Sequence, residues 1–170
     1  ASESDEIKFN VWLFDSGNYV ADENGKRLGY DCVNADQVEW YKEASEALEK
    51  QAVAKVPSLA FQHIVPYEIK DYVIETPEAD PNGFTSVNQA TGEKHHYALD
   101  PNYAEAGSIL REYPCPSRIH GEQMSKFVQQ GDVNAVFVGH DHVNDFSILY
   151  EGIYLTYAVK SGFGSYWRED

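Results

Sequence analysis

Basic residues are scarce in this chain of 170 residues: 13 Lys and Arg stand against 28 Asp and Glu, for a net charge of −15. Affinity for nucleic acid comes largely from cations that displace counterions condensed on phosphate, so no nucleic-acid partner is expected. Cysteine is scarcer still. Cys32 and Cys115 are the only two, and without a CxxC spacing they indicate neither a disulfide framework nor a thiolate zinc site. A single bridge between them stays open at this level, as does the compartment. No apolar run approaches the roughly 18 to 20 residues of a membrane span, and the polar start Ala1-Ser2-Glu3-Ser4-Asp5-Glu6 has none of the marks of a signal peptide. The only Met is Met124, so the sequence reads as a processed or excised piece. There is no internal repeat or low-complexity tract, and an apolar share of 42% is enough to fill the core of one domain.

What is present reads as alternating strands and helices. Ile7 to Phe14 is a buried strand that ends in the turn cluster Asp15-Ser16-Gly17-Asn18. From Asn34, a helix-capping residue type, Val38, Tyr41, Ala44, Ala47, Leu48 and Ala52 recur at three- and four-residue steps, which predicts an amphipathic helix closed before Pro57. Ser58 to Val65 is a second strand, so strand, helix, strand suggests a right-handed parallel crossover. Between Tyr67 and Arg118 neither period is sustained through Pro77, Pro81, Asn82-Gly83, Thr91-Gly92, Pro101, Pro114 and Pro116. This segment, about 67–118, is expected to be a long insertion acting as a mobile lid over a site made elsewhere. A helix from His120 to Gln130, a strand at Ala135 to Val138 and a hairpin of Phe146 to Tyr150 with Ile153 to Val159 complete the pattern.

Chemistry concentrates at strand ends. Gly139-His140-Asp141-His142 leaves the carboxyl end of the Ala135–Val138 strand, where ligand sites of α/β sheets form. In an extended segment His140 and His142 point the same way, and Gly139 is expected to allow a close backbone approach. His63 stands at the equivalent end of its own strand, before Pro66. Neutral imidazole is the commonest metal ligand, so His63, His140 and His142 are the candidate metal ligands, with Asp141 and Asn144 as candidates to orient the imidazoles. His95-His96 is expected to be a solvated loop pair and His120 a helix-start residue. Asp15 is either a ligand or the head of an Asx-turn.

Four motifs in order then carry a resemblance: Trp12-Leu13-Phe14-Asp15-Ser16-Gly17, Asp36-Gln37-Val38-Glu39-Trp40-Tyr41, Phe61-Gln62-His63-Ile64-Val65-Pro66 and Val136-Phe137-Val138-Gly139-His140-Asp141-His142-Val143-Asn144-Asp145. Together they resemble the calcineurin-like metallophosphoesterases, in the branch of the purple acid phosphatases and Dcr2-like phosphatases. Gly162-Phe163-Gly164-Ser165-Tyr166 is similar to the Gly-aromatic segment that follows the last strands there. The resemblance covers nearly all of the chain outside the insertion.

That resemblance implies an α/β fold, half of a two-sheet αββα sandwich with a mixed sheet and flanking helices. It implies a dinuclear centre with two divalent or trivalent ions of the Fe, Zn or Mn class, His63 and His140 on one and His142 on the other. The family's DxH, GDxxD or GDxxY, and GNH[DE] motifs are not in this sequence. Gly131-Asp132-Val133-Asn134 matches only superficially. The chain thus resembles the C-terminal half of the domain, with the N-terminal half as its missing partner and one ion or none held alone. For the intact protein the resemblance implies a metal-activated hydroxide attacking a phosphate ester. An extracytoplasmic location is the preferred one for that parent. The isolated chain is expected to be inactive and to self-associate through exposed core. Two other readings compete with this one: a noncatalytic metal-binding module, and a protein or carbohydrate binder using the Tyr-rich insertion.

Overall fold

Successive strands separated by a helix or a long connection can pair parallel, whereas tight turns give antiparallel pairs, and this chain uses both. The computed structural model describes residues 6–160, 162 and 164–166. In chain order these form β1 (Asn10–Leu13), β2 (Tyr19–Ala21), β3 (Arg27–Tyr30), α1 (Ala35–Ala52), β4 (Ser58–Phe61) and a 3₁₀ helix (Tyr67–Tyr72). There follow β5 (Val73–Thr76), β6 (Phe84–Val87), β7 (Lys94–Leu99), α2 (Gln123–Gln130), β8 (Val133–Val138), β9 (Phe146–Tyr150) and β10 (Ile153–Tyr157). The main sheet runs β1-β4-β8-β10-β9. It is parallel from β1 through β10, and β9 returns antiparallel as a hairpin with β10. The fold is therefore α/β with a mixed sheet.

The period of two in the strands sorts the sheet into two faces. Trp12, Ala60, Val136, Leu155 and Ile148 lie in register across it and are all buried. Val38 and Tyr41 of α1 and Met124 and Phe127 of α2 close the core over them. Both helices thus cover one face. On the other, Leu13, Phe61, Phe137 and Thr156 form the adjacent row, and there Leu13 is 73% exposed and Val11 49%. The Phe61 and Phe137 rings stack outward at 5.0 Å. One sheet with helices on a single face and an apolar opposite face has the layers of half an αββα sandwich.

Asn34 precedes α1 as expected, but its side chain makes no cap bond. Side-chain hydrogen bonds tie the helix to the sheet lower down. The Tyr41 hydroxyl donates to the buried Asp132 carboxylate, Ser58 Oγ donates to Asp132 at 3.4 Å, and Trp12 Nε1 donates to Ser58 Oγ at 2.9 Å.

The Tyr67–Arg118 segment, expected to sustain neither period, is more regular than that reading. The segment holds a three-stranded antiparallel sheet, β5-β7-β6, whose Phe84, Tyr97 and Leu99 join the core. It then follows the outer edge of β9 through bridges from Ala104 to Ile148 and Ile109 to Asp145, which covers an otherwise unpaired strand edge. The strands escaped notice because FTSV and KHHYAL are short and partly solvated, so their alternation is weak.

Glu68, on the 3₁₀ helix, is only 7% exposed. Burial raises its carboxyl above the usual range, partly opposed by a backbone hydrogen bond and by His120, whose Nε2 lies 3.2 Å away. A carboxyl raised in the folded state favours folding fully below its unfolded value near 4.5 and loses that contribution as pH rises through the folded value. Urea melts at pH 4 and pH 8 should therefore show wild type losing stability relative to Glu68→Gln as pH rises. Stability curves that stay parallel with pH would refute this.

Candidate functional site

Because β4 and β8 are parallel neighbours, their carboxyl ends reach the same sheet edge and the segments leaving them run side by side. Pairing continues past the strands, with Gln62 N–H donating to Phe137 O at 3.1 Å and Gly139 N–H to His63 O at 3.2 Å. This brings the two histidine rings together. His63 Nε2 and His140 Nδ1 are 3.2 Å apart, with ring centroids at 5.0 Å. Gly139 was expected to allow a close backbone approach, and the left-handed backbone falls on His140, at φ 76°. A Cβ on Gly139 would meet His63 Nδ1 at an ordinary 3.6 Å. Left-handed backbone at a non-glycine residue costs on the order of 1–3 kcal/mol and clusters at ligand sites.

Burial lowers the pKa of His140, reinforced by the charges of His63 and His142 and opposed by Asp141. A neutral ring offers its lone pair to a metal. Two imidazole nitrogens each about 2.0–2.1 Å from a tetrahedral ion would sit roughly 3.3 Å apart, so the observed 3.2 Å fits one ion between His63 and His140. Among the described residues, no group of three or more His, Cys, Asp and Glu side chains is placed to hold a metal.

Asp141 and Asn144 are buried, and their side-chain hydrogen bonds brace the loop that carries the imidazoles. Asp141 Oδ2 accepts the Cys115 N–H at 3.0 Å and the Tyr157 hydroxyl. Asn144 Oδ1 accepts the N–H groups of Arg111 and Glu112 at 2.9 and 3.1 Å, and Glu112 Oε1 accepts the Val143 N–H at 3.4 Å. The end of the 67–118 segment is thus the floor of the histidine loop. Cys32 and Cys115 are both free thiols. Burial and Asp141 push the Cys115 thiol up to about 11, leaving it protonated and unreactive near neutrality.

His142 has different company. Its Nδ1 is hydrogen-bonded to Ser165 Oγ, and the Tyr166 ring lies over it at 4.6 Å. The Tyr166 hydroxyl donates to both Glu112 oxygens at 2.9 Å. Burial and that carboxylate raise the phenol to about 12, so it remains a donor. Lys160 Nζ holds the backbone oxygens of Gly162 and Ser165 at 2.8 and 2.6 Å. Within the Gly-aromatic segment, Phe163 lies outside the described residues.

The remaining candidates resolve simply. Asp15 heads an Asx-turn, its Oδ1 accepting the Gly17 N–H at 2.9 Å. His95 and His96 lie on β7 instead of a loop, paired with Glu75 and Thr85, each at 2.7 Å. His120 stacks on Tyr67 at 4.9 Å. Sequence reasoning missed Tyr30, whose ring meets His140 edge-on at 4.2 Å, backed by Tyr19 at 5.1 Å. It also missed Glu112 and Tyr157, which are distant in sequence and carry no motif, and gave Ser165 no contact with His142 although it lies in the Gly-aromatic segment. Asn24-Gly25, a turn dipeptide, lies between β2 and β3 in the hairpin that delivers Tyr30.

Three Arabidopsis thaliana proteins are similar to this chain over most of its length. Probable inactive purple acid phosphatase 14 is 30% identical over 164 residues, covering 92% of this chain and 34% of its own. Probable inactive purple acid phosphatases 29 and 28 are each 27% identical, covering 92% and 94% of this chain and 34% and 33% of their own. The chain therefore spans about a third of the length of these curated relatives. No protein-family model matches it, and no solved structure does.

Proposed function

Starting from the kinship of this chain with the purple acid phosphatases of the calcineurin-like superfamily, we propose that it supplies part of a metal-dependent phosphoesterase centre. The rest of that centre comes from sequence outside these 170 residues. The convergence of His63 and His140 on one point, from the ends of two parallel strands, carries the reading. His63 and His140 would hold one ion, and His142 would serve a second. Bound divalent ions would supply positive charge for phosphate oxygens and acidify a water. An acidic protein needs such charge before it can take an anionic substrate. The chain's own residues do the rest of the positioning: Asp141, Asn144 and Glu112 fix the loop, and Tyr30 walls one side of His140.

A second reading, a noncatalytic metal-binding or interaction module, is favoured by the names of all three relatives, each called probable inactive. One assay separates the two. The whole protein and the 170-residue chain are given an aryl phosphate with Mn²⁺ or Zn²⁺, with and without chelator. Chelator-sensitive turnover by the whole protein, its loss in His140→Ala, and little or none by the chain alone are expected. Three neutral ligands without carboxylates leave the repulsion of a second dication uncompensated. A whole protein that binds metal through these histidines without turnover would decide for the noncatalytic module. Full-rate turnover by the chain alone would overturn the shared-centre reading.

A further inference from the structure

His142 differs from the other two candidate ligands in that one of its ring nitrogens is already engaged. Its Nδ1 is bonded to Ser165 Oγ, whereas Nε2 makes no hydrogen bond among the described residues. The ring is held on its face as well, by Tyr166 at 4.6 Å. Neither partner is loose. Ser165 is anchored through its carbonyl to Lys160 Nζ at 2.6 Å, and Tyr166 through its hydroxyl to the Glu112 carboxylate at 2.9 Å. Glu112 in turn grips the Val143 N–H beside His142 at 3.4 Å. The segment after β10 and the loop after β8 are therefore locked around one imidazole.

A neutral imidazole has one N–H and one bare nitrogen, and the partner of the first decides which nitrogen is the second. We propose that Ser165, with Tyr166 latched to Glu112, is a positioning residue that accepts the Nδ1–H of His142 and so presents Nε2 as the metal-binding atom. The opposite arrangement, with the Ser165 hydroxyl donating to a bare Nδ1, would put the proton on Nε2 and block it. Partners that accept the second N–H of a ligating histidine fix its tautomer, and losing them typically costs about 10- to 100-fold in metal affinity. This proposal rests on the metal-centre reading above and adds which atom of His142 is offered and what offers it.

The test reads the tautomer directly. Long-range ¹⁵N–¹H spectra of the full 170-residue chain, with the His142 signal assigned by its loss in His142→Ala, are recorded near pH 8.5, roughly 2 units above the ordinary imidazole value of about 6.5. The Nδ1–H form is expected for wild type and for Ser165→Thr, and a shift toward Nε2–H for Ser165→Ala. In the whole protein, Zn²⁺ affinity should fall about 10-fold or more in Ser165→Ala and recover in Ser165→Thr. A wild-type spectrum dominated by Nε2–H overturns the proposal. So does unchanged Zn²⁺ affinity in Ser165→Ala when His142→Ala binds weakly. Unchanged affinity in His142→Ala itself would instead remove His142 from the ligand set, and with it the reading on which the proposal stands.

Discussion

Asp132→Ala should lower the melting temperature by up to roughly 10 °C. The carboxylate is buried at the entry to β8 and accepts from the Tyr41 hydroxyl and Ser58 Oγ, while Ser58 Oγ also accepts from Trp12 Nε1. Removing it leaves the buried Tyr41 hydroxyl without that acceptor, at a cost of about 1–3 kcal/mol, whereas Ser58 Oγ keeps the Asp132 carbonyl at 3.1 Å. The upper end, near 3 kcal/mol, converts to about 6–12 °C for a chain of this size. Asp132→Asn, whose carbonyl can still accept from Tyr41, should lose less. Burial and Asp132 both raise the Tyr41 hydroxyl, so it stays a donor across the range in which melts are run. Metal binding is the informative contrast. Asp132 lies at the opposite end of β8 from His140, and six strand residues span roughly 20 Å. A folded Asp132→Ala protein should therefore bind metal like wild type. A melting temperature within about 2 °C of wild type would show that the network contributes little, and a selective loss of metal would give Gly131-Asp132 the ligand role that its sequence only mimics.

The strand ends were legible because parallel strands leave both signals in sequence at once. A β-branched and aromatic run stops, and a histidine follows within one or two residues, as at Phe61-Gln62-His63 and Val138-Gly139-His140. The helix of Val38, Tyr41 and Leu48 was legible from its period, and so was the β9–β10 hairpin from Glu151-Gly152. What escaped was whatever depends on contacts distant in sequence. Glu112 reaches His142 through Tyr166, and Asp141 meets Tyr157 across the sheet. Neither pairing has a local pattern. The left-handed turn at His140 had no sequence signal: Gly139 was expected only to allow a close backbone approach, and the positive φ of 76° falls on the histidine after it. In the 67–118 segment, dense turn residues hid three short strands whose order comes from packing and not from alternation.

Substituting lysine at Leu13 and Phe61 should have opposite consequences in the 170-residue chain and in the whole protein. These residues sit in one row of the sheet face that neither helix covers, with Val11, Phe137 and Tyr154 nearby, and Leu13 is 73% exposed. An open concavity of about 490 Å³, walled by Leu13, Phe61, Phe137 and His63, joins that face to the candidate site. Soluble monomers rarely expose a contiguous apolar patch of more than a few hundred Å². In the chain alone the face should therefore drive self-association, seen as a mass by light scattering that rises with concentration, and Leu13→Lys with Phe61→Lys should return it to a monomer. In the whole protein we expect the second sheet of the sandwich to occupy the same face. Full burial of Leu and Phe contributes about 1.5–3 kcal/mol each, and burying unpaired ammonium groups costs still more, so the double variant should lose several kcal/mol and melt well below wild type. The sign reversal is what identifies the occupant. If the variant leaves the melting temperature of the whole protein unchanged, the face looks into solvent there as well and the half-sandwich assignment fails. A destabilised whole protein beside a chain that is monomeric before and after substitution would keep the sandwich and remove self-association.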